Sequence, residues 1–165
     1  MQIERKIIIG VMGGGQATAK DESMAFELGR LIAKRGWILL NGGRSAGIME
    51  ASAKGAKQAG GLTIGILPDA DASGVSRFID IPVITGMGHA RNAINVLTSD
   101  IVVACPGGAG TISEIALALK NGTPVILLGF DPEPFFRSYE SNDSLLQASS
   151  PRDVVEKIER ILEKR

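Results

Sequence analysis

The sequence has few of the residues that build disulfide-rich, metal-binding or nucleic-acid-binding proteins. It contains one cysteine and one histidine, so an internal disulfide is excluded and any chemistry that needs an imidazole falls to His89. We expect no metal site. Eighteen basic residues are balanced by eighteen acidic ones, which leaves no basic surface of the kind that binds nucleic acid. We therefore expect a small-molecule ligand.

Long hydrophobic runs are also missing, because glycine, asparagine or charged residues interrupt every apolar stretch. We expect no membrane partner, and without a signal-peptide pattern the expected location is the cytoplasm. The length predicts a single domain, 1–165.

Glycine is abundant, and most of the 21 glycines follow short runs rich in valine, isoleucine and leucine. Unbroken apolar runs of this length predict strands that are buried on both faces of a sheet. The predicted strands cover residues 6–11, 37–40, 62–67, 81–85, 101–105 and 124–129. The stretch 130–145 is predicted to be irregular.

Segments with a helical period separate these runs. They predict helices at 21–35, 47–59, 89–98 and 111–121, and a last helix that Ser150 caps and Pro151 begins. The alternation predicts an α/β fold, with a Rossmann-like, doubly wound and mostly parallel sheet that carries helices on both faces. In such folds ligands bind at the carboxyl ends of the strands.

A glycine-rich loop at residues 106–114, PGGAGTISE, follows one predicted strand and precedes a helix. Glycines let main-chain N–H groups approach a ligand, and the positive end of a helix attracts anions, so a phosphate site is predicted. The alternative is a structural turn with a capping box, in which Thr111 is the N-cap and Glu114 its partner. That alternative does not explain three glycines within four positions, each of which costs about 0.5–1 kcal/mol relative to alanine.

Two other loops at strand ends contain glycine clusters. Residues 41–50 contain Gly42, Gly43 and Arg44, and they form either the second half of a divided ligand site or a simple turn. Arg44 either contacts the ligand or is idle on the surface. The cluster at 10–16 does not have the GxGxxG spacing, and no acidic residue ends the second strand, so a nicotinamide-dependent dehydrogenase is not favoured.

Arg91 begins a predicted helix, where its charge faces the positive end of the helix dipole at a cost of about 0.3–1 kcal/mol. An anionic ligand would offset this cost, and a salt bridge to a local carboxylate is the alternative. His89, two residues earlier, is more typical of a structural residue than of a catalyst.

The ordered motifs resemble those of the Lonely Guy superfamily, Rossmann-like proteins once described as lysine decarboxylases. The resemblance spans about residues 6–130 and rests on Gly42-Gly43 with Gly47-Ile48-Met49, Gly60-Gly61 with Gly65-Ile66-Leu67-Pro68, Arg91, and the 106–111 loop with Glu114. Phosphoribohydrolases of this superfamily cleave the N-glycosidic bond of nucleoside 5′-monophosphates. For such an enzyme the resemblance implies a catalytic pair, Arg91 and Glu114, and a phosphate held by Gly107, Gly108, Gly110 and Thr111.

Three positions depart from the pattern of the active enzymes. Asn92 stands where they have lysine, and Arg44 and Glu50 stand where they have glycine. These positions look more like the molybdenum cofactor carrier branch, which binds a phosphorylated pterin without turning it over. That resemblance implies the molybdenum cofactor as cargo, molybdoenzymes as recipients, a homo-oligomer (dimer or tetramer), and further binding residues Gly42, Gly43 and Arg44.

The leading hypothesis is therefore a carrier of a phosphorylated heterocycle, most plausibly the molybdenum cofactor. The alternative is a nucleoside 5′-monophosphate phosphoribohydrolase of the cytokinin-activating type. A nucleotide-sensing domain without a transfer role is the third possibility.

Overall fold

A computed structural model describes residues 5–132, 136, 138–140 and 144–164 of the chain. Within these ranges seven strands form one sheet. The strands are β1 (Ile8–Met12), β2 (Ile38–Asn41), β3 (Thr63–Leu67), β4 (Ile81–Ile84), β5 (Ile101–Ala104), β6 (Val125–Leu128) and β7 (Leu145–Ala148). The helices are α1 (Ala19–Lys34), α2 (Gly47–Gln58), α3 (Asn92–Thr98), α4 (Ala109–Lys120) and α5 (Pro151–Glu163), with a 3₁₀ turn at Gly88–Arg91 before α3.

All neighbouring strands are parallel, and their order is β4-β3-β2-β1-β5-β6-β7. The predicted doubly wound, Rossmann-like α/β fold is thus confirmed. The chain winds outward in one direction from β1 to β4 and then in the other from β5 to β7. The loops after β1 and β5 therefore diverge at the carboxyl edge, which is where such sheets form ligand crevices.

The sequence does not predict strand β7, which begins at the last residue of the predicted irregular stretch 130–145. Its four residues are too short a run to stand out, and Gln147 interrupts the apolar pattern. Strand β7 is stabilised by its pairing with β6, which sets Val125 opposite Leu145, and not by the strand propensity of its own residues.

Helices cover both faces of the sheet. Val103 of β5 faces the side of α1, α2 and α5, whereas its neighbours Val102 and Ala104 face the side of α3 and α4. This alternation follows from the period of two along a strand. Because both faces are covered, β5 and β6 are apolar and buried at every position.

Helix ends follow the expected signals in most places. Ser150 caps α5 by accepting a hydrogen bond from the Asp153 N–H, and Pro151 is its first residue. Helix α1 begins slightly earlier than predicted, because Thr18 and Asp21 form a capping box. In the described ranges no helix combines the length and the apolar character needed to cross a bilayer.

Candidate functional site

A cavity of about 260 Å³ opens at the carboxyl ends of β1, β2 and β5, where the two halves of the sheet diverge. Its wall combines main chain from three glycine-rich loops with a few polar side chains. The lining residues are Val11, Met12, Gly13, Gly14, Gly15, Gly42, Met49, His89, Arg91, Asn92, Gly108, Gly110, Thr111 and Glu114.

Helix α4 points its first turn into this cavity. The helix begins at Ala109 with Gly108 as N-cap, and no side chain caps it. The alternative capping box was therefore wrong, because Thr111 is the third residue of the helix. The N–H groups of the first turn have no carbonyl partner within a helix, so those of Ala109, Gly110 and Thr111 are available to an anion.

The glycines of this loop have two different roles. A Cβ at Gly107 would overlap Thr111 Oγ1 and lie 2.9 Å from the Gly14 nitrogen, so this glycine is needed for packing. A Cβ at Gly108 or Gly110 would meet no protein atom within 4 Å, and neither residue has a positive φ. Nothing in the protein itself requires glycine at these two positions, whereas a ligand close to the backbone would.

Glu114 lies one helical turn further along α4 and lines the cavity, although it is only 6% exposed. Its Oε1 accepts a hydrogen bond of 2.7 Å from Asn95 Nδ2. Burial raises the pKa of the carboxyl, and the Asn95 hydrogen bond and the Arg91 charge only partly oppose this. The site thus contains a carboxylate with little stabilisation of its charged form.

Arg91 ends the 3₁₀ turn and extends its guanidinium over the loop after β2. A Cβ at Gly42 would overlap Nη1 and lie 2.9 Å from Nη2, so Gly42 makes the room that the guanidinium occupies. Burial lowers the pKa of Arg91, while the charge of Glu114 acts in the opposite direction. Within the described ranges Arg91 forms no ion pair within 4 Å, so the alternative of a local salt bridge is not seen.

The other predicted residues of the second loop, Gly43 and Arg44, do not line the cavity. Gly43 has φ 77° and packs against the backbone of Gly65. A Cβ at Gly43 would lie 3.1 Å from the Gly65 Cα. Arg44 forms an exposed salt bridge with Asp69, with 2.8 Å between Nη2 and Oδ2. Asn41 holds the loop, because it accepts from the Gly43 N–H at 2.8 Å and donates to the Met49 carbonyl at 2.9 Å.

Sequence reasoning missed part of the wall. The loop Gly13-Gly14-Gly15 was weighed only as a dinucleotide fingerprint, yet it borders the cavity. Gly14 joins the loops, since its N–H donates to Pro106 O at 2.9 Å and its carbonyl accepts from the Ile48 N–H at 3.1 Å. Three consecutive glycines after a strand were the signal that could have revealed it.

Asn92 was noted only as a departure from a family pattern, but it has a defined place. Its Nδ2 donates to Ser113 Oγ at 3.0 Å, and that hydroxyl donates to the Gly110 carbonyl at 2.7 Å. Asn92 therefore fixes the start of α3 to the first turn of α4. His89 is exposed at the cavity edge.

These features together suit a phosphate monoester. The first turn of α4 offers main-chain donors and a positive dipole, and Arg91 offers a cation that no described carboxylate neutralises by contact. Glu114 offers an acceptor one turn deeper. Among the described residues there is no cluster of side chains that could hold a metal ion.

Known structures of high similarity share this fold. The molybdenum cofactor binding protein from the phototrophic bacterium Rippkaea orientalis is 54% identical with a TM-score of 0.88, over 96% of this chain and 98% of that chain. The molybdenum cofactor carrier protein of Chlamydomonas reinhardtii is 47% identical with a TM-score of 0.90, over 96% of this chain and 99% of that chain.

A curated relative has a different description. The cytokinin riboside 5′-monophosphate phosphoribohydrolase of Mycobacterium tuberculosis is 34% identical over 108 residues, which are 60% of this chain and 54% of that enzyme. The chain thus matches about half the length of that relative. The sequence model of the SLOG cluster4 family matches residues 6–155. The predicted Lonely Guy resemblance is confirmed by these matches, and the chain belongs to the SLOG cluster4 family.

Proposed function

We propose that this protein binds the molybdenum cofactor, a phosphorylated pterin, and carries it in the cytoplasm to molybdoenzymes without turning it over. Two structures that are 54% and 47% identical over nearly the whole chain are named for binding or carrying this cofactor. The support from the protein itself comes from the architecture of the cavity.

The observation that carries the proposal is the empty space above Gly108 and Gly110. A side chain at either position would project into space free of protein atoms, beside the N–H groups at the start of α4. A phosphate group fits there, since main-chain donors and the helix dipole both favour a dianion. Arg91 adds a charge-assisted hydrogen bond from the opposite wall.

The rest of the cavity suits the ring system next to that phosphate. Glu114 is three residues beyond Thr111, which places it about 4–5 Å deeper along the helix axis. Its carboxyl therefore faces the group that is bonded to the phosphate and accepts hydrogen bonds from ring N–H groups. Met12 and Met49 supply an apolar wall. Gly42 leaves space for the Arg91 guanidinium. Gly107 stabilises the loop after β5 by packing, and Gly43 and Arg44 stabilise the loop after β2.

A phosphoribohydrolase is the second candidate, and one observation favours it. Glu114 and Arg91 both line the cavity, and the ion pairs within 4 Å among the described residues do not join them, so both are available to a substrate. In that reaction the C–N glycosidic bond breaks as water adds to C1′, and the base leaves with the bonding electrons and takes up a proton. Glu114 would stabilise the positive charge on the sugar and orient the water.

Two measurements separate the candidates. A mass spectrum of freshly purified protein under non-denaturing conditions is expected to show a bound phosphorylated pterin. Incubation with AMP and GMP is expected to release no free base and no ribose 5-phosphate. Base release by the wild type that Glu114→Gln abolishes would contradict the carrier proposal and support the enzyme.

We also propose that the protein is a homo-oligomer, a dimer or tetramer. Register places Ile81 and Val83 of the edge strand β4 on the same sheet face as Ile64 and Ile66, and both are exposed. On that face, α3 exposes Leu97 to 67%. Exposed large apolar side chains on one face of a sheet are typical of a contact between subunits, and a second copy would cover them.

A further inference from the structure

A groove of about 320 Å³ lies between the last two turns of α5 and the start of β6 and β7. Its floor is apolar and its rim is cationic. The lining residues are Pro124, Leu146, Lys157, Arg160, Ile161 and Lys164.

The groove is remote from the cofactor cavity. Pro124 immediately precedes β6, so the groove opens at the amino ends of the strands, whereas the cavity opens at their carboxyl ends. A four-residue strand is about 13 Å long. The two openings are therefore separated by about one strand length. A molecule in the groove would therefore leave the cavity open.

The charged side chains that line the groove are all cations. Lys157, Arg160 and Lys164 follow one another at intervals of three and four residues, so they lie on one face of α5. Glu156 and Glu163 are not part of the groove wall, and among the described residues no carboxylate lines it. Lys157 is paired with Asp153, so Arg160 is the central cation of the groove wall.

The apolar floor of the groove favours a ligand with an apolar group. Leu146 and Ile161 are partly buried and pack against the core beneath α5, yet both contribute surface to the groove. An inorganic anion would not use this surface. A ligand that matches both features has carboxylates around an aliphatic side chain, because the apolar floor removes that side chain from water.

We propose that this groove, which we call the α5 groove, is the docking site for an acidic peptide segment of a partner protein, with a leucine-like side chain on the floor and carboxylates at Arg160 and its neighbours. Electrostatic complementarity brings the segment to the surface and orients it, and the apolar contact retains it. This assignment does not depend on the identity of the ligand in the cavity.

The test uses a fluorescein-labelled peptide in which one leucine is flanked on each side by glutamates. Fluorescence anisotropy with the full-length protein is expected to show saturable binding that weakens with salt. Arg160→Glu is expected to weaken binding by about tenfold or more. Arg152→Glu makes the same charge change on an exposed residue at the other end of α5 and is expected to change affinity by less than about threefold.

Peptide variants test the floor. Serine in place of leucine is expected to weaken binding by about tenfold, and Ile161→Ser is expected to remove the preference for leucine. Equal losses for Arg152→Glu and Arg160→Glu, or equal binding of the serine peptide, would overturn the proposal. So would tighter binding to phosphatidylserine vesicles than to the peptide, which would assign the surface to membranes. If Arg160→Glu fails to fold by circular dichroism, Arg160→Gln takes its place.

Arg91→Ala separates this proposal from the proposed function. The variant is expected to bind the acidic peptide as the wild type does, because its substitution lies in the cavity. Loss of peptide binding in Arg91→Ala would place the peptide in the cavity and contradict the α5 groove.

Discussion

Asn95 Nδ2 donates a hydrogen bond of 2.7 Å to Glu114 Oε1, and this contact joins α3 to α4 beneath the cavity. Asn95 is fully buried, and its Oδ1 has no hydrogen-bond partner among the described residues. Glu114 is thus a nearly buried carboxyl held by a single neutral donor. Such a group is costly to ionise, and this cost has a measurable consequence for stability.

The free energy of unfolding is expected to depend on pH through Glu114. Burial raises its pKa above the ordinary value of 4.5, so the native state binds this proton more tightly than the unfolded chain does. The stabilising contribution is therefore complete below pH 4.5 and is lost as the pH rises through the native-state pKa. Glu114→Gln keeps an acceptor for Asn95 but cannot ionise.

Urea unfolding at a series of pH values from about 4.5 to 8 checks this prediction. The stability of Glu114→Gln relative to the wild type is expected to increase above pH 4.5 and to level off once the pH exceeds the native-state pKa of Glu114. Glu156→Gln removes the same charge from an exposed position on α5 and serves as the control. A constant difference between Glu114→Gln and the wild type at every pH would show that Glu114 is not the source.

The same substitution at two neighbouring glycines is expected to have opposite effects. Gly110→Ala adds a methyl group in open space within α4, where alanine favours the helix by up to about 1 kcal/mol. Gly107→Ala forces a Cβ against Thr111 and Gly14, which is expected to cost about 1–3 kcal/mol. Gly110→Ala should therefore be at least as stable as the wild type but should lose affinity for a phosphate ester.

Isothermal calorimetry with ribose 5-phosphate and thermal unfolding measure the two effects separately. Gly110→Ala is expected to bind at least about tenfold more weakly, since its methyl group occupies the space above the helix N-terminus. Unchanged affinity in Gly110→Ala would mean that the anion does not lie against this turn.

Gly42 and Arg91 are expected to act as one unit. A Cβ at Gly42 would displace the guanidinium and lie 2.7 Å from Met49 Sδ; both are ends of flexible side chains, so Gly42→Ala should fold normally. Losing a charge-assisted hydrogen bond costs about 1.5–3 kcal/mol, or roughly 10- to 100-fold in affinity. Arg91→Ala is expected to show the full loss for ribose 5-phosphate, and Gly42→Ala a substantial part of it.

A double-mutant cycle checks whether this coupling exists. In the Arg91→Ala background, Gly42→Ala is expected to change affinity by less than about twofold, because no guanidinium remains to be displaced. Additive losses in the double mutant would contradict the shared role.

The fold was predictable because it depends on features that are local in the sequence. Buried parallel strands are continuous apolar runs, and Ile101–Ala104 and Val125–Leu128 were recognisable as such. Strand β7 was not, because it exists through its pairing with β6. The same distinction applies to helix starts. Ser150 has a side chain that predicts the start of α5, whereas the N-cap of α4, Gly108, has no side chain that could indicate a helix start.

The site was predictable in part for the same reason. The sequence predicted Gly108, Gly110 and Arg91, which line the cavity, but it could not separate a glycine needed for packing from one that borders open space. That difference depends on Thr111 and Gly14 lying against Gly107, a contact that requires three-dimensional structure. The hydrogen bond from Asn95 to Glu114 spans two helices and has no sequence signature.

The apolar face of β4 and α3 is expected to determine the oligomeric state. Leu97 is 67% exposed in the single chain, so Leu97→Glu should leave the fold of the subunit intact while placing a charge in the proposed contact. Sedimentation equilibrium is expected to show an oligomer for the wild type and a shift to monomer for Leu97→Glu. Tyr139→Glu alters another exposed large apolar residue, in the segment between β6 and β7 at the opposite end of the strand order from β4, and is expected to leave the oligomer unchanged. If Leu97→Glu sediments as the wild type does, the subunits associate through a different surface. A buried unpaired charge in the contact would cost about 2–5 kcal/mol per subunit, and an interface of ordinary size does not tolerate that penalty.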